Sequence, residues 1–187
     1  MMYTCKQLLC CCLFLWTAVY AHAQQKPLVA EAEYYRFINA IFANRNENFV
    51  LRETADAYID TATLNELFKD SLLTPADVSF MKKQLVQART YKWKPGGITH
   101  ARIVADSVIS ACFGKRENLE KRWNCFYQTV DSSGYRSFSA PLFSLDRKFC
   151  IFYNDRHCGV FCGGGSLAIY RKEENGWKRI RGSSWES

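Results

Sequence analysis

The fold is decided by the stretch Phe149–Arg181, which reads FCIFYNDRHCGVFCGGGSLAIYRKEENGWKRIR. Side chains alternate with a period of two along Phe149–Tyr153 and again along Leu167–Tyr170, as is typical of β-strands. Asn175-Gly176 separates the second run from Trp177–Arg181, and Asn-Gly favours a hairpin because both central residues of a type I′ turn need positive φ. We therefore predict an antiparallel meander over about the last 50 residues.

Ahead of this stretch the apolar period lengthens to that of helices. The spacing predicts one helix over Leu28–Asn44 and a second that begins near Asp60 or Thr61 and ends at Leu73. A third is predicted to begin at Thr74-Pro75, with threonine as the N-cap and proline at the first helical position. The breaker Pro95-Gly96-Gly97 then ends the helical region.

Between the helical region and the meander, shorter elements are predicted. Ala101–Ala105 suits a short strand, Asp106 suits the cap of a short helix that stops at Gly114, and Glu117–Val130 has the spacing of a longer helix. Proline cannot donate to a β-ladder, so Pro141 predicts that the strand around Phe138–Phe143 lies at a sheet edge.

The order of elements predicts the α+β class, with N-terminal helices packed on a C-terminal antiparallel β-meander. By analogy, a cystatin-like or nuclear-transport-factor-like roll would suit it. We expect one domain over residues 24–187, mostly helical over 24–94 and mixed over 95–187. With 48% hydrophobic and 15% aromatic residues, four prolines and ten glycines, the composition excludes disordered and collagen-like chains.

Residues 1–23 have the pattern of a secretory signal peptide. Lys6 is the only charge, Leu8–Tyr20 is apolar, and Ala21-His22-Ala23 suits signal peptidase. The alternative is a membrane anchor, but about 13 apolar residues are fewer than the roughly 20 that cross a bilayer as a helix. We therefore expect export to the periplasm or the cell exterior, with no transmembrane segment after cleavage.

The basic charge lies in the second half of the chain. Removal of residues 1–23 changes the net charge from +7 to +6, and residues 91–187 alone carry 16 basic and 9 acidic side chains. A positive field favours acidic partners such as a phosphorylated glycolipid or an anionic polymer, although a solvated surface is the simpler interpretation. Specific nucleic-acid binding is not expected of an exported protein.

The last predicted strand carries a candidate ligand-binding surface. Trp177, Arg179 and Arg181 stand at alternate positions and are predicted to share one face, with Arg171 on the neighbouring strand. Such a patch would stack on sugars or bind acidic groups. The alternative is that Trp177 closes the hydrophobic core and the arginines lie at its rim.

Cysteine spacing suggests a disulfide in the glycine-rich loop. Five cysteines follow the signal, so one is free or pairs with another chain, and 15 two-bridge patterns are possible. The five are Cys112, Cys125, Cys150, Cys158 and Cys162. Cys158 and Cys162 are the closest pair. A bridge between them is favoured, and it would stabilise the fold by roughly 2 kcal/mol in the loop-entropy picture.

Two other interpretations of that loop are weaker. In one, Cys158 is a nucleophile with His100 or His157 as its base, which makes the chain a thiol-dependent hydrolase or transferase. In the other, His157, Cys158 and Cys162 bind a metal, but the second ligand pair of a structural zinc site is missing. No G-x-S-x-G, H-E-x-x-H or G-x-x-x-x-G-K motif is present, and we expect no metal and no cofactor.

The C-terminal third also carries a recurring set of residues. Its parts are Ser139-x-Pro141-x-Phe143-Ser144, Cys158-Gly159-x-x-Cys162-Gly163-x-Gly165, Gly176-Trp177-Lys178 and Trp185. This set resembles the C-terminal half of a group of exported bacterial proteins with no assigned activity, over about residues 100–187. The resemblance implies a fold and export, and it implies no reaction, cofactor or binding residue.

The leading hypothesis is therefore a small exported binding module without enzymatic activity, whose ligand is acidic or a glycan. A thiol-dependent enzyme that uses Cys158 is the alternative. A third possibility is a structural or inhibitory protein whose Cys-Gly loop inserts into an envelope protein.

Overall fold

The structure is a computed structural model that describes residues 27–45, 47–68, 72–114 and 116–186. Its helices are α1 (Glu31–Phe42), α2 (Thr61–Leu67), α3 (Pro75–Ala88), α4 (Asp106–Phe113) and α5 (Leu119–Val130). Its strands are β1 (Phe49–Arg52), β2 (Ala101–Val104), β3 (Tyr135–Phe138), β4 (Leu142–Phe143), β5 (Phe149–Gly159), β6 (Cys162–Glu173) and β7 (Gly176–Glu186). The predicted signal peptide lies outside the described residues.

All seven strands form one sheet in the order β2-β1-β3-β5-β6-β7, with β4 paired to β5. The pairs among β3, β5, β6 and β7 are antiparallel, whereas β1 pairs in parallel with both β2 and β3. The predicted α+β class is confirmed, and the meander is present as β5–β6–β7. In the described part of the chain, no helix has the length and apolar character needed to cross a membrane.

Helix α1 packs on one face of the sheet through an aromatic cluster centred on Phe37. The Phe37 ring, which is 1% exposed, makes edge contacts at 5.1–5.8 Å with the rings of Phe143, Phe152, Tyr170 and Trp177. Edge-to-face pairs add to the apolar burial. This cluster therefore fixes the position of α1, and of the loop that leaves its C-terminus, against β5–β7.

Helices α4 and α5 form a second core with the β1–β2 end of the sheet. Val50 and Val104 pack with the helix side chains Ile109, Trp123 and Phe126. A disulfide between Cys112 and Cys125 joins the two helices.

Capping side chains place the helix starts where the sequence predicts them. Asp60 accepts from the Thr63 N–H at 2.7 Å, and Thr74 and Asp77 form a reciprocal capping box at α3. Asp106 does not cap α4, because Ala105 occupies that position. The Asp106 carboxylate instead accepts from Arg52 Nε at 2.9 Å.

Four local expectations are wrong. The sequence pattern predicts no strand over β1, and α2 ends at Leu67 rather than Leu73. The single edge strand around Pro141 is two strands, of which β3 lies inside the sheet between β1 and β5. The β6–β7 turn consists of Glu174 and Asn175, and Gly176 alone of these three has positive φ, so the turn is not type I′ at Asn175-Gly176.

A polar cluster joins α1 to the segment after α3 and makes stability depend on pH. The Glu31 carboxylate accepts from Lys94 Nζ at 2.7 Å, from Tyr91 Oη at 2.9 Å and from Tyr35 Oη at 3.2 Å. The hydrogen bond from Lys94 is the main cause that lowers the pKa of Glu31, and burial opposes it. A lowered carboxylate pKa stabilises the fold above the unfolded pKa, and this contribution is lost as pH falls through the folded value.

We therefore expect Glu31→Gln to be less stable than the wild type at neutral pH and to approach it in acid. The effect should be small because the pair is largely solvated. Urea unfolding between about pH 6 and about pH 3 measures it. A constant difference between the two proteins over that range would contradict the assignment.

Candidate functional site: an arginine concavity

A concave surface of about 530 Å³ lies on the α1 side of the sheet, beyond the C-terminal end of that helix. Four arginines line it, namely Arg45, Arg136, Arg156 and Arg179. They come from the loop after α1 and from β3, β5 and β7. We call this surface the arginine concavity.

Strand register creates both the charge and the space of the concavity. Arg136 pairs with Arg156, Arg156 with Gly164, and Gly164 with Glu186, so one cross-strand row runs over β3, β5, β6 and β7. Paired residues project from the same face of a sheet. Since Gly164 has no side chain, the floor between Arg156 and the last strand stays open.

A side chain at either of two glycines beside β7 would collide with that strand. A Cβ on Gly164 would lie 2.8 Å from the carbonyl oxygen of Trp185, and one on the adjacent Gly165 would lie 2.5 Å from the Trp185 ring. Both distances are shorter than ordinary van der Waals contacts. The glycine run therefore permits close packing of β7 as well as an open floor.

The concavity holds like charges that form no salt bridges among the described residues. Among the described residues, Arg45, Arg136 and Arg156 take part in no ion pair. Burial, together with the neighbouring charges of Arg45 and Arg156, lowers the pKa of Arg136 to about 10, and the charge of Glu47 opposes this shift. Arg136 stays charged at neutral pH, and its guanidinium lies 5.6 Å from the Phe49 ring centroid. Glu186, at the end of the row, is the one acidic side chain among the described residues that line the concavity.

A disulfide-closed hairpin tip forms the rim of the concavity. Cys158 is bonded to Cys162, and Val160-Phe161 forms the two-residue turn between β5 and β6. The Phe161 side chain is 90% exposed. Gly159 has φ +145°, a conformation that residues with a side chain rarely adopt. Tyr127 Oη on α5 donates to the Cys158 carbonyl at 3.3 Å.

The candidate surface predicted on β7 is not formed as one face. Tyr170 pairs with Arg179 but Ile169 pairs with Arg181, so a bulge at Ile180 moves Arg181 to the opposite face. Arg171 is also on that opposite face, because it pairs with Lys178, the residue before Arg179.

Of that predicted surface, only Arg179 reaches the concavity. Its guanidinium donates to Ser184 Oγ at 3.0 and 3.1 Å, which orients it along the floor. Trp177 packs against Phe37 and Phe143 at centroid distances of 5.1 and 5.9 Å, as its core alternative predicts. The bulge that separates these side chains has no signal in the sequence.

The residues proposed for thiol chemistry are not brought together. Cys158 is bridged, and His100 precedes β2, which β1 and β3 separate from β5. The adjacent His157 stacks on Tyr135 at a centroid distance of 4.6 Å. Cys150 is the free cysteine of the described residues; it is completely buried, and burial raises its pKa. In this oxidised form, therefore, no described cysteine is an accessible nucleophile.

A serine, a histidine and an aspartate do meet on the other face of the sheet, and no sequence motif predicts this cluster. His157 Nε2 lies 3.4 Å from both Ser137 Oγ and Asp155 Oδ2. A catalytic triad needs the serine and the carboxylate on different ring nitrogens. Since Ser137 is also only 1% exposed, this cluster is not arranged for attack on a substrate.

Searches of known protein families, of curated proteins and of solved structures find no match to this chain. No group of three or more potential metal-ligating side chains occurs in the described ranges. A function must therefore be inferred from the chemistry of the arginine concavity.

Proposed function

We propose that this chain is an exported binding module, without enzymatic activity, whose arginine concavity binds a ligand with several negative charges. The observation that carries the proposal is the set of three arginines, Arg45, Arg136 and Arg156, without ion-pair partners beside an open glycine floor. Guanidinium groups donate in a planar fork that matches phosphate and carboxylate oxygens. The two disulfides of the described residues are compatible with an oxidising compartment.

The electrostatics favour a polyanion over a single carboxylate. Like charges held close together oppose one another, which contributes to the lowered pKa of Arg136. A ligand with several anionic oxygens would offset that repulsion at more than one arginine. Folding would then be linked to binding, so ligand should raise the unfolding temperature.

The first test is binding of tripolyphosphate by isothermal titration calorimetry at low ionic strength. We expect Arg156→Gln to weaken binding by about tenfold or more, as for loss of a hydrogen bond to a charged group. Arg156 is exposed, so its replacement should leave the fold intact. The rise in unfolding temperature caused by tripolyphosphate should likewise be larger for the wild type than for Arg156→Gln.

The matched control is Arg89→Gln. Arg89 is exposed, follows α3 and lies outside the concavity, yet its substitution removes the same charge. Binding by Arg89→Gln should stay within about twofold of the wild type, a change expected from net charge alone. If the wild type does not bind tripolyphosphate, or if both variants weaken binding equally, the proposed site is wrong.

A further inference from the structure

We infer that the polyanion bound by the concavity is the headgroup region of an anionic phospholipid surface, with the Val160-Phe161 tip inserted among the lipids. This inference rests on the proposed function, because the arginines must first bind an anion. It specifies that the bound anions belong to a bilayer and are not free in solution.

The composition of the tip is the first observation. Two-residue turns usually contain Gly, Asn, Asp, Pro or Ser, whose backbone or hydrogen-bonding properties suit a turn. Here the two positions hold Val160 and Phe161, which are 42% and 90% exposed. Phe161 is the most exposed large apolar side chain of the described residues; Val86 follows at 75%. The core does not require this phenylalanine, whereas an apolar phase outside the protein would accept it.

The rigidity of the tip is the second observation. The Cys158–Cys162 bridge closes the hairpin next to the turn, and the hydrogen bond from Tyr127 holds its base on α5. Exposure of Phe161 is therefore fixed by the backbone. A backbone that is ordered before it binds loses less conformational entropy on insertion.

The charge around the tip indicates the kind of surface that the tip contacts. Phe161 lines the same concavity as Arg45, Arg136 and Arg156, so an apolar side chain and three cations without ion-pair partners face one space. Peripheral membrane binding combines these two features, because apolar burial and attraction to anionic headgroups add together. A two-residue tip offers far less than the roughly 800 Å² that each partner buries in a stable protein interface, which argues against a protein partner.

The inference is tested by co-sedimentation of the mature protein with vesicles of phosphatidylglycerol and phosphatidylcholine, against vesicles of phosphatidylcholine alone. We expect binding to the anionic vesicles and none to the neutral ones. Phe161→Ser should weaken binding to the anionic vesicles about tenfold, because the apolar side chain that inserts is lost. Val86→Ser, which removes an exposed apolar side chain from α3, is the matched control and should bind like the wild type.

A spectroscopic variant reports insertion directly. Phe161→Trp should show a blue shift of emission with anionic vesicles that exceeds the shift of the wild type. Circular dichroism of each variant confirms that the fold is retained.

The outcomes separate the two proposals. Tripolyphosphate binding without binding to anionic vesicles would overturn the membrane inference and leave the proposed function standing. The same holds if Phe161→Ser sediments with anionic vesicles as well as the wild type does, or if Phe161→Trp shows no additional shift. Absence of both tripolyphosphate and vesicle binding would overturn both proposals.

Discussion

Replacing Phe37 by alanine is expected to lower the free energy of unfolding by about 3–5 kcal/mol. The side chain is 1% exposed and contacts four aromatic rings, so its loss removes apolar burial and leaves a cavity that these rings cannot easily fill. Denaturant titration with an unchanged m-value would measure this loss as a shift of the midpoint. A loss below about 1 kcal/mol would mean that α1 does not depend on this cluster.

The same substitution connects the core to the concavity. Helix α1 is held on the sheet by Phe37, and Arg45 lies in the loop that follows the helix. The folded fraction of Phe37→Ala should therefore bind tripolyphosphate more weakly than the wild type. Phe37→Leu, which keeps most of the volume, is the control and should lose less of both stability and affinity.

Local signals account for what the sequence predicted correctly. The 3.6-residue spacing of α1, α3 and α5 and the capping box of α3 act within one or two turns of helix, and the alternation of β5–β7 acts within each strand. The close spacing of Cys158 and Cys162 is equally local. Such features depend on residues that are close together in the chain, so they can be predicted from the sequence.

The concavity depends on causes that are not local. Arg45 reaches it because an aromatic cluster positions α1, and Arg136 reaches it because β3 lies inside the sheet beside β5. A one-residue change in register moves side chains to the other face, and the bulge at Ile180 makes that change between Arg179 and Arg181. The period-two alternation along β7 therefore predicts one shared face for these two arginines, which is wrong.

The strand β1 illustrates the same limit. Its four residues, Phe49–Arg52, are too few for a periodic signal, and they pair in parallel with strands far along the chain. The predicted antiparallel meander is therefore part of a mixed sheet, in which the middle strand β3 has a parallel and an antiparallel neighbour.

Two double variants, each lacking one disulfide, are expected to rank in opposite order for stability and for vesicle binding. In the loop-entropy picture, Cys112→Ala/Cys125→Ala should cost about 3 kcal/mol because the bridge spans 13 residues. Cys158→Ala/Cys162→Ala should cost about 2 kcal/mol because its bridge spans 4 residues. Denaturant unfolding of both double variants measures these costs.

For binding to anionic vesicles, the order of the two double variants should be the reverse of their order of stability. The Cys112–Cys125 bridge lies in the second core, whereas both Cys158 and Cys162 line the concavity beside Phe161. Without the tip bridge, Phe161 would have to be ordered on insertion, so anionic vesicle binding should fall even though the protein is the more stable of the two. Equal vesicle binding by both double variants would mean that the tip bridge serves stability alone. Since each variant loses one bridge, the comparison separates the position of the bridge from the number of bridges.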